Sequence, residues 1–439
     1  MNIAIYTLRS IAQALINPYL VIILVFIGFI FYRQNKKTSI MQKMIIGETL
    51  NSPLELTLSQ IVIGIFAGTI ASMALSYGGV MFGENSGIDL IFIFSILLMT
   101  ISPRFICFSY SGAILGFVSL VFKIFNINNI GVLSSLGVAP DILMTLDITA
   151  LMTLVGVLHI VEGILVIIDG HRGAIPVFTN KEDKIIGGFA LKRYWALPIA
   201  IFLILNNNTV IGGESIGTPD WWPLINHSLS STILQTAVLG LMPFYGVIGY
   251  NSVTFTKNKK EKALLSGVSI FIFGIALTLV AQLATKGLVW QFIVVFFAPL
   301  AHEFMLYIQR YMEEKGKPKF VSDDEGIMVL EVSPNSPAYE MGIKSGDKVL
   351  QINDDPVDNE ISIYKFISKN LQDVRLKIKD SKGLIRDMHF DILQGDKKIG
   401  MVLVPKVMPK ESTVVKFEDE KFKDVLDKLR NKDKDDEDK

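Results

Sequence analysis

Two histidine–glutamate pairs stand in apolar stretches of this 439-residue chain, where either residue type is costly to hold. His302 and Glu303 begin the pattern His-Glu-x-x-His, in which two histidines one helical turn apart bind zinc and the glutamate serves as base. Leu306 stands where the second histidine must be, so the pattern is broken. His159 and Glu162 share a helix face, yet Gly163 follows where the inverted pattern, His-x-x-Glu-His, requires histidine. The remaining histidines, His171, His227 and His389, fall in loops or in the C-terminal region. The single cysteine, Cys107, can form no intrachain disulfide or thiolate cluster and reads as a small buried hydrophobe. No phosphate-binding loop is present. The residues therefore predict no catalytic group, no metal ligands and no cofactor. What they do predict is an intramembrane polar cluster, His159, Glu162, His302 and Glu303, with Asp169 on the same stripe as Glu162. It reads either as a satisfied cluster fixing helix register or as an ion or proton site coupled to the C-terminal region.

The elements that must carry these residues are membrane spans. Half of the residues are apolar, only 19% are charged and the mean hydropathy is +0.44, too apolar for an ordinary soluble globule. The charges are sparse before Tyr311 and dense after it. Apolar runs suited to spans cover 11–32, 56–82, 88–101, 105–122, 146–168, 194–205, 232–253, 263–284 and 288–307. The expectation is an α-helical polytopic bundle of about nine spans (seven to ten) over residues 1–310. The first run lacks a small-residue cleavage site and reads as a retained span. Pro103 should turn the third and fourth runs into a helical hairpin. Gly64, Gly68, Ser72 and Ser76 recur every four residues, a face that permits close helix–helix approach within the bundle or between copies of the chain.

Basic and non-basic connections alternate along the chain. Arg33 to Lys43, Arg104, Arg172 to Arg193, Lys257 to Lys262 and Arg310 to Lys317 form the basic set. The long stretch 206–231 holds none. The positive-inside rule places the basic set, and everything after residue 307, in the cytoplasm of a cell membrane. Trp221 and Trp222, and Tyr194 with Trp195, read as interfacial anchors. Nothing suggests a nucleic-acid partner.

Beyond a linker at 311–325 the texture changes to short β-rich runs separated by turns. Ser336 is a helix N-cap with Pro337 at the first helical position, Gly342 suits a left-handed C-terminal position, and Gly346-Asp347 forms a turn into the next strand. The run VSPNSPAYEMGIKSGDKVLQINDDPV resembles the bacterial PDZ signature, which implies a small α+β domain over 326–405. PDZ domains add an extended peptide to a sheet edge beside a helix. The groove is predicted between strand 327–332 (Ile327, Met328, Val329, Leu330) and helix 361–370 (Ile363, Phe366, Ile367). No glycine-rich carboxylate loop precedes Ile327, and Asp323, Asp324 and Glu325 would repel a peptide's C-terminus. The domain is therefore expected to bind an internal segment or to pack on its own membrane region. Residues 406–439 form a charged, largely disordered tail with an amphipathic stretch at 417–429.

This layout, with the run HRGAIPVF…GGFALKRYWALPI at 171–199, resembles the MinJ family of Firmicute division-site adaptors. The resemblance implies a non-enzymatic scaffold bridging the pole-marking protein DivIVA to the division inhibitor MinD, so that septa form at the proper place. Two other readings stay open on the residues. One is an intramembrane metalloprotease of the site-2 kind, although the Asn-Pro-Asp-Gly sequence such enzymes use is absent. The other is a proton- or ion-coupled transporter or sensor built on the His/Glu cluster.

Overall fold

The computed structural model describes residues 2–47, 50–83, 86–101, 105, 107–125, 144, 146–182, 184–205, 219–225, 238–363, 372–392 and 399–406. The helices are α1 (Ile3–Ile16), α2 (Pro18–Ile46), α3 (Pro53–Gly78), α4 (Leu90–Ile101), α5 (Phe108–Phe125), α6 (Ile148–Asp169), α7 (Lys259–Ala281), α8 (Leu288–Lys315) and the short α9 (Pro337–Glu340). A 3-10 turn, Gln282–Lys286, extends α7. Asn17 ends α1 and caps α2, accepting from the backbone N–H groups of Tyr19 and Leu20 with Pro18 at the first position, so the first apolar run is two helices.

Six helices among the described residues are long and apolar enough to cross a membrane: α2, α3, α5, α6, α7 with its extension, and α8. The expected count of about nine is not reached among the described residues. Helix α4 has only 12 residues. The sixth run and the described part of the seventh are not helices but belong to the strands β3 (Lys184–Leu205) and β4 (Val238–Thr254). A short apolar run does not distinguish strand from buried helix by periodicity. Here composition decides. Pro198, Pro243, Gly240, Gly246 and Gly249 each penalise a helix interior, while aromatic and β-branched neighbours favour a pleated one. The two strands pair antiparallel in unbroken register from Phe189↔Thr254 to Leu205↔Val238. Strands β2 (Ile175–Lys181), β1 (Met81–Gly83) and β5 (Phe320–Val321) also pair with β3.

A strand within an apolar bundle must satisfy its backbone inside protein. Helix α3 does this for β3 with its small-residue face. A Cβ on Gly64 would lie 2.2 Å from the Ala196 carbonyl oxygen, and one on Gly68 equally close to that of Pro198, so only glycine admits this approach. Ser72 Oγ accepts the Ala200 N–H at 2.9 Å. Pro198 has no N–H to offer on the side facing α3, so no donor is stranded there. The small-residue face thus serves helix–strand contact. A second close contact joins α6 to α7 through glycines seven apart on each, Gly156 and Gly163 against Gly267 and Gly274.

The PDZ region follows directly. Helix α8 runs to Lys315 and β5 already belongs to the β3 sheet, so most of the segment expected as a linker is folded into the first domain. Strands β6 (Ile327–Val332), β7 (Lys348–Ile352), β8 (Asp355–Pro356), β9 (Gln372–Lys379), β10 (Ile385–Ile392) and β11 (Met401–Leu403) form one sheet in the order β10-β9-β7-β6-β11, with β8 on β7. Ser336 caps α9, accepting from Tyr339 N, and Gly342 and Gly346 adopt the left-handed conformations their turns require. Strand β6 is buried on both faces. Ile327 and Val329 join Ala338, Ile343, Val349 and Leu376 in the PDZ core, while Met328 and Leu330, with Val402 and Val404, join the core of the membrane region. The PDZ domain therefore packs on its own membrane region, one of the two arrangements expected from its sequence.

Candidate functional site

Three helical segments bring the intramembrane polar residues together. Helix α6 carries His159 and Glu162, α8 carries His302 and Glu303 one turn past its internal Pro299, and Cys107 sits in the bend immediately before α5. The rings of His159 and His302 meet with centroids 5.8 Å apart. The Cys107 Sγ lies between them, 3.0 Å from His159 Nε2 and 3.5 Å from His302 Nε2. His159 Nδ1 is 2.7 Å from the Val155 carbonyl oxygen, which can only accept, so Nδ1 carries the proton and Nε2 presents its lone pair. Ser109 Oγ lies 3.2 Å from the same Nε2, and Glu162 Oε2 lies 3.9 Å from it. His302 Nδ1 is buried without a hydrogen-bond partner among the described residues. Glu303 faces a different neighbour, accepting from the Tyr110 hydroxyl. The Phe273 ring stands edge-on to both imidazoles and that of Tyr110 to His302, so the cluster is walled by aromatic groups.

Cys107, His159 and His302 each offer one donor atom, all within 4.8 Å of one another. Sequence reasoning assigned no metal ligands because these residues lie 52 and 195 positions apart and obey no local spacing. A cavity of about 440 Å³ runs from Cys107, Glu162 and His302 along the C-terminal part of β4 to Lys262, Arg310 and Glu313.

Asp169, expected on the same stripe, belongs elsewhere. Its Oδ2 accepts from Arg193 Nε at 2.9 Å, Arg193 Nη2 at 2.6 Å and Trp195 Nε1 at 2.9 Å. Arg193 also donates to Ser59 Oγ and the Leu56 carbonyl, and the pair is 1% exposed on each side. Arg193 was read as a loop cation and Trp195 as an interfacial anchor, but both are core residues tying α3, α6 and β3 together. Trp221, by contrast, is half exposed and stacks on Tyr77. Glu313 accepts from the hydroxyls of Thr254 and Thr256 at 3.0 and 2.8 Å and pairs with Lys262 at 3.2 Å, fixing the end of α8 to β4 and α7.

The strand expected to line the PDZ groove, β6, does not lie at a sheet edge, since β7 pairs with it at Ile327 and Met328 and β11 pairs along the remainder. The terminal strand is β11, preceded by Ile399 and by Gly400 at φ +77°. Ile327, Met328, Val329 and Leu330 are divided between two cores. Helix formation begins at Glu360, Ile363 is fully buried in the PDZ core, and Phe366 and Ile367 lie outside the described residues. The Lys406 N–H donates to Glu360 at 3.4 Å, which sets this helix start beside the end of β11. The signal in the sequence was Ile399-Gly400 before a short apolar run, late in the chain. The acidic triplet is neutralised: Asp323 pairs with Lys348, Glu325 with Lys379 and Lys348, and Asp324 with Lys406. The hydrogen bond from Lys379 holds the Glu325 carboxyl below its ordinary range, and that from Lys406 does the same for Asp324.

Residues 328–380 match the PDZ domain family. The chain is 26% identical over 241 residues to the cell division topological determinant MinJ of Bacillus subtilis, covering 54% of this chain and 56% of that protein. It is 34% identical over 84 residues to a probable cell division topological determinant MinJ of Lacticaseibacillus paracasei, covering 19% of this chain and 23% of that one. The chain thus aligns with about half the length of the first relative and about a quarter of the second. No solved structure matches it significantly.

Proposed function

We propose that this MinJ-like chain is a membrane-embedded adaptor in division-site selection, holding a PDZ domain on the cytoplasmic face to recruit protein partners. The observation that carries the reading is the extent of the similarity to MinJ. Its 241 residues exceed what the PDZ match at 328–380 and everything after it can supply, so the membrane region takes part in the likeness. The basic residues support the orientation: Lys259 pairs with Glu331 of the PDZ domain, and Lys319 with Glu261 at the start of α7. Helix α8, anchored through Glu313, passes into β5 and then the PDZ sheet, so the domain is held at the membrane surface. The proposed partners are division proteins of the MinD and DivIVA kind, and the proposed docking place is the β11 edge beside the helix beginning at Glu360. The role requires no catalytic group.

The test is capture from cross-linked membranes, comparing the full chain with one ending after Ser322, which keeps β5 in place. Division proteins recovered with the full chain alone, while both forms reach the membrane, support the adaptor. Equal recovery with both forms refutes a recruiting role for the PDZ domain.

A further inference from the structure

We propose that Cys107, His159, His302 and Glu162 form a structural zinc site inside the membrane bundle. The proposal stands on the cluster's geometry and does not depend on the adaptor reading. Tetrahedral zinc with Zn–S of about 2.3 Å and Zn–N of about 2.0 Å sets sulfur and nitrogen about 3.5 Å apart. The Cys107 sulfur lies 3.5 Å from His302 Nε2, as this geometry asks, and 3.0 Å from His159 Nε2, a distance that must open by about half an ångström. His159 has the arrangement a ligand needs, with Nδ1–H spent on the Val155 carbonyl and Nε2 aimed into the cluster. Without a cation the cluster is poorly satisfied. The Cys107 thiol and the Ser109 hydroxyl compete for one lone pair on His159, and His302 Nδ1 has no partner among the described residues.

Glu162 would supply the fourth position by a side-chain rotation, since it lies outside the three donors already within 4.8 Å of one another. Its Oε2 is 3.9 Å from His159 Nε2 and the residue lines the cavity that reaches the cluster, about one turn further along α6. A thiolate, a carboxylate and two neutral imidazoles balance the charge of Zn²⁺, which matters where an unpaired charge is costly. A thiolate with two imidazoles favours zinc over calcium or magnesium, and four protein ligands describe a closed, structural site. Binding releases the thiol proton, which the cavity leads toward Glu313 and Lys262 at the bundle's end. The ion would clasp α5, α6 and α8, the last of which leads to the PDZ domain.

The test uses the full chain purified in detergent with a histidine-free tag. Elemental analysis is expected to give about one zinc per chain. Replacing zinc by cobalt is expected to give tetrahedral visible bands and a thiolate-to-cobalt band in the near ultraviolet. Cys107→Ser should abolish the near-ultraviolet band and lower zinc content at least about tenfold. Ser109→Ala, which touches His159 but supplies no ligand, should keep both. A folded full chain without zinc that gives no thiolate band with added cobalt overturns the proposal without recourse to any variant. Undiminished zinc in folded Cys107→Ser and His302→Gln shows the ion to be adventitious and also overturns it.

Discussion

Adding one methyl group at Gly68 tests whether α3 is built to cover a strand. The new Cβ would sit 2.2 Å from the Pro198 carbonyl oxygen, against an ordinary contact of 3.4 Å, a deficit of 1.2 Å. The obstructing atom is backbone in a strand paired with β4 on its other side, so it cannot rotate away. Helix and strand must separate by about 1 Å, which forfeits a quarter to a half of each dispersion contact between them. The same movement stretches the 2.9 Å bond from Ala200 N–H to Ser72 Oγ beyond hydrogen-bonding range. Overpacking of this kind costs up to about 3 kcal/mol, while alanine in a helix returns about 1 kcal/mol relative to glycine. The expected net loss is about 2 kcal/mol, close to a thirtyfold shift in the unfolding equilibrium. Denaturant titration of the detergent-solubilised protein measures it, with Gly83→Ala as control because a Cβ there meets nothing within 4 Å. A Gly68→Ala protein as stable as its parent and as the control would refute the α3–β3 packing. A change in oligomeric state without loss of stability would point instead to a face between copies.

Removing one partner of the buried Arg193–Asp169 pair should be severe: Arg193→Met is expected to cost about 3–5 kcal/mol, and the double variant with Asp169→Asn less than the sum of the singles, by chemical denaturation. Glu313→Ala removes the anchor at the end of α8 and should cost about 2 kcal/mol, read as faster proteolysis within 316–319. In the PDZ region, Glu325 is held by Lys379 below its ordinary value of 4.5, so its contribution is complete above that pH and fades as acid protonates the folded state. Lys379→Met should therefore reduce hydrogen-exchange protection of β6 and β7 at neutral pH, and the difference from the parent should vanish well below pH 4.5.

The sequence made the long helices and the PDZ turns legible because each rests on local chemistry. Ser336, Pro337, Gly342 and Gly346 occupy positions where cap and turn geometry leave few alternatives. Strands β3 and β4 were hidden because apolar runs broken by proline and glycine satisfy a hydropathy window as readily as a helix does. Arg193 was misplaced for a related reason, since a cation near a run of lysines looks like a loop marker until Asp169 is brought to it from 24 residues away. The His159–His302 encounter was conceivable from their burial in apolar spans, but Cys107 joins them only through tertiary packing. The edge position expected of β6 was not met because sheet order, unlike strand identity, is not written in local pattern. It took the pairing of Met401 with Val332 to show that β6 lies inside the sheet.

The adaptor role is tested most directly by photo-cross-linking in cells. A photoreactive residue replaces Ile361, an exposed apolar side chain at the helix start beside β11. The account predicts light-dependent adducts between the full chain and a cytosolic division protein. Adducts confined to the chain's own membrane region, or to proteins outside the cytoplasm, would contradict it.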